Sequence, residues 1–231
     1  MASAKILVVE DDTPTLKLIV RFLQHKSYQL QMASNGLSAL AVFDNFQPDL
    51  VILDINLPDV LGYEICEQMQ LKRDVCILIL TCRTQQEDIA EAFRKGADDY
   101  ITKPFHLEEL QWRIQALLKR RRNNSEQVLE QIIFPNLIID PNRREIIVND
   151  QLLNVTSLEF ELIYFLASNS ERVWSRAELI EKVWKYSFTG DHRVVDVHIG
   201  QIRKKLQAFL SPPLFIQTVR GIGYKFEYFK S

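Results

Sequence analysis

Leu50-Val51-Ile52-Leu53-Asp54 decides how this chain is read. Four apolar residues in a row stop on a carboxylate. Three other runs behave the same way: Ile6-Leu7-Val8-Val9 stops at Glu10-Asp11, Cys76-Ile77-Leu78-Ile79-Leu80 at Thr81, and Tyr100-Ile101-Thr102 at Lys103-Pro104. Short, bounded apolar runs read as parallel strands buried on both faces. In an open α/β sheet the ligand site lies beyond the carboxyl ends of the strands. Acids, a hydroxyl and an amine spread over about a hundred residues are therefore expected to meet in one crevice.

Between these runs the period changes to that of helices. Asp12-Thr13-Pro14 opens the first, and Leu16, Ile19, Val20 and Leu23 follow at one-face spacing. The last of the series carries Leu107, Leu110, Ile114, Leu117 and Leu118 at similar spacing. Five strands alternating with five helices predict an α/β doubly wound five-stranded parallel sheet, with right-handed crossovers. With strand order 2-1-3-4-5, strands one and three are neighbours, and Glu10, Asp11 and Asp54 crowd together. Like charges a few ångströms apart repel unless neutralised. A hard divalent cation with oxygen ligands does this, and Mg²⁺ suits a site that keeps waters for a phosphate. Lys103 adds a mobile positive charge. Such a site can accept a phosphoryl group on a carboxylate. Asp54, alone on the central strand, is the expected nucleophile, and Thr81 a donor to the new phosphate.

The 231 residues suit one large or two ordinary domains. A net charge of −2 hides an asymmetry. Residues 1–118 hold 11 basic and 17 acidic side chains, whereas 193–225 hold six basic and one acidic. An acidic unit followed by a locally basic one implies two tasks. Cys66, Cys76 and Cys82 form no CxxC pair and are expected to be reduced, mostly core thiols. No apolar stretch nears the ~20 residues of a membrane span, and no signal peptide is visible, so a cytoplasmic protein is expected.

After Arg122 the pattern changes. The expected organisation is a phospho-acceptor domain over residues 1–121, a linker over 122–130 and a second domain over 131–231. Short β-like pieces occupy 132–155, broken at Pro135-Asn136, Pro141-Asn142 and Asn149-Asp150. Capping boxes at Thr156–Glu159 and Ser175–Glu178 open two helices. A third begins near Asp191 and buries Val195, Ile199, Ile202 and Leu206; Arg193, Val197, Gly200, Gln201 and Lys204 share its opposite side, flanked by Arg203 and Lys205. An apolar back and a partly basic front suit the major groove of double-stranded DNA. Two closing strands flank Arg220-Gly221-Ile222-Gly223, a hairpin whose arginine suits the minor groove.

These residues resemble two-component response regulators of the OmpR/PhoB family. The receiver motifs are Val-Val-Glu10-Asp11-Asp12, Leu-Asp54-Ile-Asn56-Leu-Pro58, Thr81, and Gly96-Ala-Asp98-Asp99-Tyr100-Ile-Thr-Lys103-Pro104-Phe105. The effector motifs are Thr156-Ser-Leu-Glu159-Phe160, Arg193-Val-Val-Asp196-Val197-His198-Ile199, Ile202-Arg203-Lys204-Lys205-Leu206 and Thr218-Val219-Arg220-Gly221-Ile-Gly223-Tyr224. The resemblance implies an α+β winged helix-turn-helix domain after the receiver. It implies that Asp54 takes a phosphoryl group from a sensor histidine kinase. Asp11, Asp54 and the Asn56 carbonyl would hold Mg²⁺, with Glu10 acting mostly through water. Pro104 would carry a cis peptide aiming Lys103, and Thr81 and Tyr100 would form a switch. Arg203 and Lys204 would meet DNA phosphates, Val197 a thymine methyl, and Arg220 the groove under the wing.

The resemblance also implies homodimerisation on phosphorylation, Asp99 meeting Arg113 and Asp98 meeting Arg120 of a second copy. Glu109 usually meets a basic residue where this chain has Ile89. RNA polymerase is a further partner the family implies; a membrane is not. Gly200 and Gln201 stand where basic residues are usual, which predicts altered site preference or weaker DNA binding, although Gln201 can read adenine. Two other readings compete: a phosphatase of the haloacid dehalogenase class, which needs an Asp where Asn56 stands, and a receiver acting through protein partners alone.

Overall fold

A computed structural model describes residues 3–122, 129–170, 172–184, 192–209 and 215–228, with the side chains of residues 120–122 left out. The chain folds as two compact units, Met1–Arg121 and Arg122–Ser231.

In the first unit, five strands, β1 (Lys5–Val9), β2 (Gln29–Ala33), β3 (Leu50–Asp54), β4 (Cys76–Thr81) and β5 (Asp99–Thr102), pair in parallel in the order β2-β1-β3-β4-β5. Five helices alternate with them: α1 (Thr13–Gln24), α2 (Gly36–Phe46), α3 (Gly62–Lys72), α4 (Gln86–Arg94) and α5 (Leu107–Arg122). Every residue of β3 and β4 is buried, as the unbroken apolar runs require. Strand alternation then divides the sheet into two faces. Val8, Ile52, Leu78, Leu80 and Ile101 pack with Leu16, Ile19 and Leu23 of α1 and Leu110, Ile114 and Leu117 of α5. The intervening residues face α2, α3 and α4; Tyr100, paired with Ile79, sets its ring edge-on against Phe93 of α4 at 5.7 Å.

The second unit begins with an antiparallel sheet of β6 (Ile132–Phe134), β7 (Leu137–Asp140), β8 (Glu145–Val148) and β9 (Gln151–Leu152). Asn149 and Asp150 both have positive φ (47° and 61°), the backbone a two-residue hairpin turn demands. Helix α6 (Ser157–Ser168) and α7 (Arg176–Leu179) each open on a complete capping box, Thr156 with Glu159 and Ser175 with Glu178. A short strand β10 (Trp174–Ser175) precedes α7, and a π-helical stretch Ile180–Trp184 follows it. Helix α8 (Val194–Leu206) buries Val195, Ile199, Ile202 and Leu206, and also Val194 and His198. Strands β11 (Ile216–Val219) and β12 (Gly223–Phe226) form the closing hairpin, in a sheet ordered β10-β12-β11. Among the described residues no helix is long and apolar enough to cross a membrane.

Candidate phosphoryl-transfer site and nucleic-acid interface

Glu10 and Asp54 lie on the α1/α5 side of neighbouring strands, because each is two residues beyond a core residue of that face, Val8 and Ile52. Asp54 is 4% exposed and Glu10 fully buried. Lys103, following β5, reaches both: its Nζ lies 2.7 Å from Asp54 Oδ2 and 2.8 Å from Glu10 Oε1. The Lys103–Pro104 peptide is cis. The other Asp54 oxygen accepts the Asn56 amide at 3.1 Å. Burial pushes the Glu10 carboxyl up, aided by the nearby Asp54 charge, while the Lys103 hydrogen bond opposes the shift. Burial penalises the Lys103 ammonium, yet its bonds to Asp54 and Glu10 outweigh that and raise it.

One ammonium faces three carboxylates, since ligand oxygens of Glu10, Asp11 and Asp54 lie within 4.8 Å of one another. When all ionise, the cluster is left with a net charge of −2 (three negative, one positive). Glu10 Oε2 is buried and, although 2.7 Å from Lys103 Nζ, accepts no well-directed hydrogen bond, which leaves a lone pair for a cation or its water. Hard oxygen donors, too few to fill an octahedron, fit Mg²⁺ with positions left for water and a phosphoryl oxygen. Asp12 stands outside this cluster; it caps α1 through Thr15 N at 2.9 Å. Thr81 is buried at the end of β4, its hydroxyl accepting the Arg83 amide at 2.9 Å.

Gly62 was not singled out by sequence reasoning, yet it shapes the pocket. A Cβ there would lie 2.2 Å from the Asp54 carbonyl oxygen, so only glycine lets α3 start against β3. Its amide bonds Ile55 O at 2.8 Å. Arg83 also bridges the pocket mouth, with Nε 3.3 Å from Asn56 Oδ1 and Nη1 3.0 Å from Asp88 Oδ1.

Some residues meet partners other than those expected, and one expectation needs correction. Arg113 is buried and makes a bidentate pair with Asp99 of its own chain at 2.9 and 3.0 Å, plus a 2.7 Å bond to Glu109 one turn earlier. Asp98 is also buried, where it accepts the Ile77 amide at 2.8 Å and anchors β4. These acids therefore have work inside one protomer, Asp99 toward α5 and Asp98 toward β4. The Arg120 side chain, its expected partner, lies outside the described residues. Cys82 is exposed rather than a core thiol, since the strand ends one residue before it; Cys66 and Cys76 are buried.

In the second unit Arg193, Gly200 and Lys204 are exposed on α8, with Val197 and Gln201 half-buried beside them. A Cβ at Gly200 would meet nothing within 4 Å. Arg220 is exposed at the hairpin tip, where Gly221 takes a φ of +76°. Arg203 has partners within the chain. Its guanidinium is held by the hairpin, with Nε 3.1 Å and Nη2 2.9 Å from Ile216 O, and Nη2 2.8 Å from Thr218 Oγ1. The expected α8 start at Asp191 lies outside the described residues.

Residues 6–115 match the response regulator receiver domain, and residues 150–226 match the C-terminal domain of transcriptional regulatory proteins. The chain is 37% identical over 231 residues to the alkaline phosphatase synthesis transcriptional regulatory protein PhoP of Bacillus subtilis, covering 96% of each chain. It is 36% identical over 219 residues to the heme response regulator HssR of Staphylococcus epidermidis, covering 95% of this chain and 96% of that one. The chain is a response regulator of the OmpR/PhoB winged-helix family.

Two solved structures are similar to this chain over nearly its whole length. A cysteine-to-serine mutant of RitR superposes with a TM-score of 0.77 at 28% identity, covering 97% of this chain and 99% of that one. DrrB, an OmpR/PhoB homologue from Thermotoga maritima, gives 0.52 at 32% identity and the same coverage. The response regulator is thus a phosphorylation-driven protein with a receiver acid cluster and a DNA-binding winged-helix domain, not an enzyme. The phosphatase alternative falls with this result. At the level of the family, its partners are a sensor histidine kinase, DNA and a second copy of itself.

Proposed function

We propose that Asp54 is the phospho-acceptor, and that its modification drives a promoter-binding dimer. The observation that carries this reading is the placement of Asp54: 4% exposed at the end of the central strand, 2.7 Å from an ammonium and within reach of two further carboxylates. A carboxylate oxygen of Asp54 attacks the phosphorus of a phosphohistidine in line. The P–N bond breaks, and its electron pair leaves with the imidazole. Lys103 exchanges its bond to Asp54 for one to the phosphoryl oxygens and holds their charge. Glu10, Asp11, Asp54 and the Asn56 carbonyl would hold Mg²⁺, which would neutralise charge on those oxygens.

Thr81 adjoins the site on the α2–α4 side of the sheet, and Tyr100 lies on that same side, two residues down the strand pair. A hydroxyl drawn to the phosphate vacates space for the Tyr100 ring, and the α4–β5–α5 face changes with it. Dimerisation there requires Arg113 to trade its own Asp99 for a partner's, or to keep it and leave contact to the remaining face. Lys204, Arg193, Val197 and Gln201 then address the major groove and Arg220 the minor groove, with residues 122–130 as linker. RNA polymerase is the final partner of this reading. Loss of cations at Gly200 and Gln201 should flatten salt dependence; an unchanged slope in Gln201→Arg would count against that point.

Incubation with acetyl phosphate and Mg²⁺ should give a hydroxylamine-labile adduct on the peptide holding Asp54. Sedimentation should show a dimer that Asp54→Ala does not form. A variant that still dimerises in response would sink the proposal.

A further inference from the structure

We propose that Arg203 is a positioning residue: it fixes the wing hairpin on the recognition helix so that Arg220 meets the groove, and does not itself contact DNA phosphate. The inference rests on the assignment of α8 and the β11–β12 hairpin as the DNA-binding elements. A basic helix residue next to Lys204 reads as a phosphate contact, but Arg203 is half-buried and three of its five guanidinium N–H donors are already directed at β11.

The bond to Ile216 O has a structural cause. Among the described residues, strand β11 is the edge of the sheet, paired with β12 alone. The Phe215 carbonyl accepts Glu227 N at 2.7 Å, so it faces the sheet. The next carbonyl along, that of Ile216, points the opposite way, toward α8. Ile216 is 1% exposed, so its outward acceptor has little water to turn to. Arg203 supplies the missing donors and adds the Thr218 hydroxyl two residues on. A second tie lies seven residues, about two helical turns, earlier on the same side of α8. There Asp196 Oδ1 accepts Tyr224 OH from β12 and Arg176 Nε from α7, both at 2.7 Å. The guanidiniums of Arg176 and Arg203 lie 5.2 and 5.6 Å from the centroid of the Tyr224 ring.

The far edge of the hairpin is equally confined. A Cβ at Gly223 would lie 2.0 Å from the Trp174 carbonyl oxygen, so β12 sits hard against β10. The base of the wing is therefore gripped from both sides, while Arg220 and Ile222 project freely at its tip. From Ile216 to Arg220 is four residues, or roughly 13 Å of strand. Over that lever a tilt of about 10° at the base moves the tip by roughly 2 Å, enough to break a hydrogen bond in the groove. Arg203 holds the end of α8 to the strand that sets this tilt.

The test is a double-mutant cycle in the full-length protein. The probe is a 30-base-pair duplex selected from a random pool by the wild-type protein. Arg203→Ala and Arg220→Ala should each weaken binding by about tenfold, and the double variant should be within twofold of either single one. Two effects that multiply would mean Arg203 makes its own contact and would overturn the proposal. Arg203→Lys keeps the charge but not the fork that spans Ile216 O and Thr218. It should bind as poorly as the alanine variant, and recovery of wild-type affinity would refute the idea. Thr218→Val removes no charge and should still cost threefold or more; unaltered binding would also refute it. Failure of the wild-type protein to enrich any duplex would instead overturn the assignment of these elements to DNA.

Discussion

Replacing Lys103 by methionine should unmask the cost of the acid pocket, in a way that depends on pH and metal. The ammonium lies 2.7 Å from Asp54 and from Glu10, two side chains that are 5% and 0% exposed. Removing one partner of a buried ion pair costs about 3–5 kcal/mol, because the other charge is left unpaired. Here an escape exists. The Glu10 carboxyl is already held above its ordinary 4.5 by burial and by Asp54, with Lys103 as the opposing influence. Without Lys103 it moves higher and protonates. A carboxyl whose folded pKa exceeds its unfolded one binds more protons when folded, so stability falls as pH rises from about 4.5 through the folded value. The deficit of Lys103→Met should be smallest at acid pH, where Glu10 is protonated in both proteins, and should grow by about 1.4 kcal/mol per pH unit between the folded pKa of the wild type and that of the variant. The lysine's own raised pKa gives stability that is complete below 10.5 and is lost only above it, outside this window. Urea unfolding at pH 5 to 8, followed by ellipticity, reads the effect, the receiver transition being the one that Mg²⁺ shifts. Saturating Mg²⁺ should narrow the gap, because the variant's pocket has lost its one cation and binds the metal more tightly than the wild type, each tenfold difference in Kd being worth about 1.4 kcal/mol. A deficit equal at pH 5 and pH 8, and indifferent to Mg²⁺, would refute the reasoning.

Other consequences can be measured directly. Gly200→Arg places a cation on an open helix face; DNA affinity should rise, the salt slope should steepen by about one, and α8 should gain up to about 1 kcal/mol from helix propensity alone. Gly62→Ala forces a methyl into the Asp54 carbonyl and should cost about 1–3 kcal/mol of receiver stability, with weakened Mg²⁺ binding by calorimetry. Arg113→Ala removes the bidentate cation from the fully buried Asp99 and should destabilise the receiver by about 3–5 kcal/mol, whereas Arg113→Lys should lose less in the same urea titration. Thr156→Ala removes the α6 cap and should cost about 1 kcal/mol in the effector transition.

The strand-end chemistry was readable because four apolar runs each end on a functional residue, and the parallel sheet brings those ends together. The capping boxes and the inward face of α8 were readable for the same reason: they are local patterns. What escaped depends on neighbours far along the chain. A helical wheel places Arg203 on the flank of α8 but does not say that an edge carbonyl 13 residues later waits beside it. Charge alone could not tell that Arg113 is satisfied by Asp99, 14 positions earlier, through the overlap of α5 and β5. Gly62 carries no chemical signal at all. Its glycine matters only because β3 and α3 approach more closely than any side chain permits.

The two faces of the sheet explain how one small group on Asp54 has distant effects. Glu10, Asp54 and Lys103 belong to the α1/α5 side, at the end of its core of aliphatic side chains. Thr81 and Tyr100 belong to the opposite side, against α3 and α4. A carboxylate on its own reaches only its own side, as its bonds to Lys103 show. A phosphoryl group extends past the strand ends, where the sheet no longer separates the two sides, and offers three oxygens instead of one. It can therefore hold Lys103 on one side and Thr81 on the other at once. The energy for the change on the α4 side comes from that second contact, so a Thr81→Val variant should still be phosphorylated by acetyl phosphate but should no longer dimerise in response. Phosphorylation and dimerisation lost together in that variant would mean that the hydroxyl serves the chemistry and not the relay.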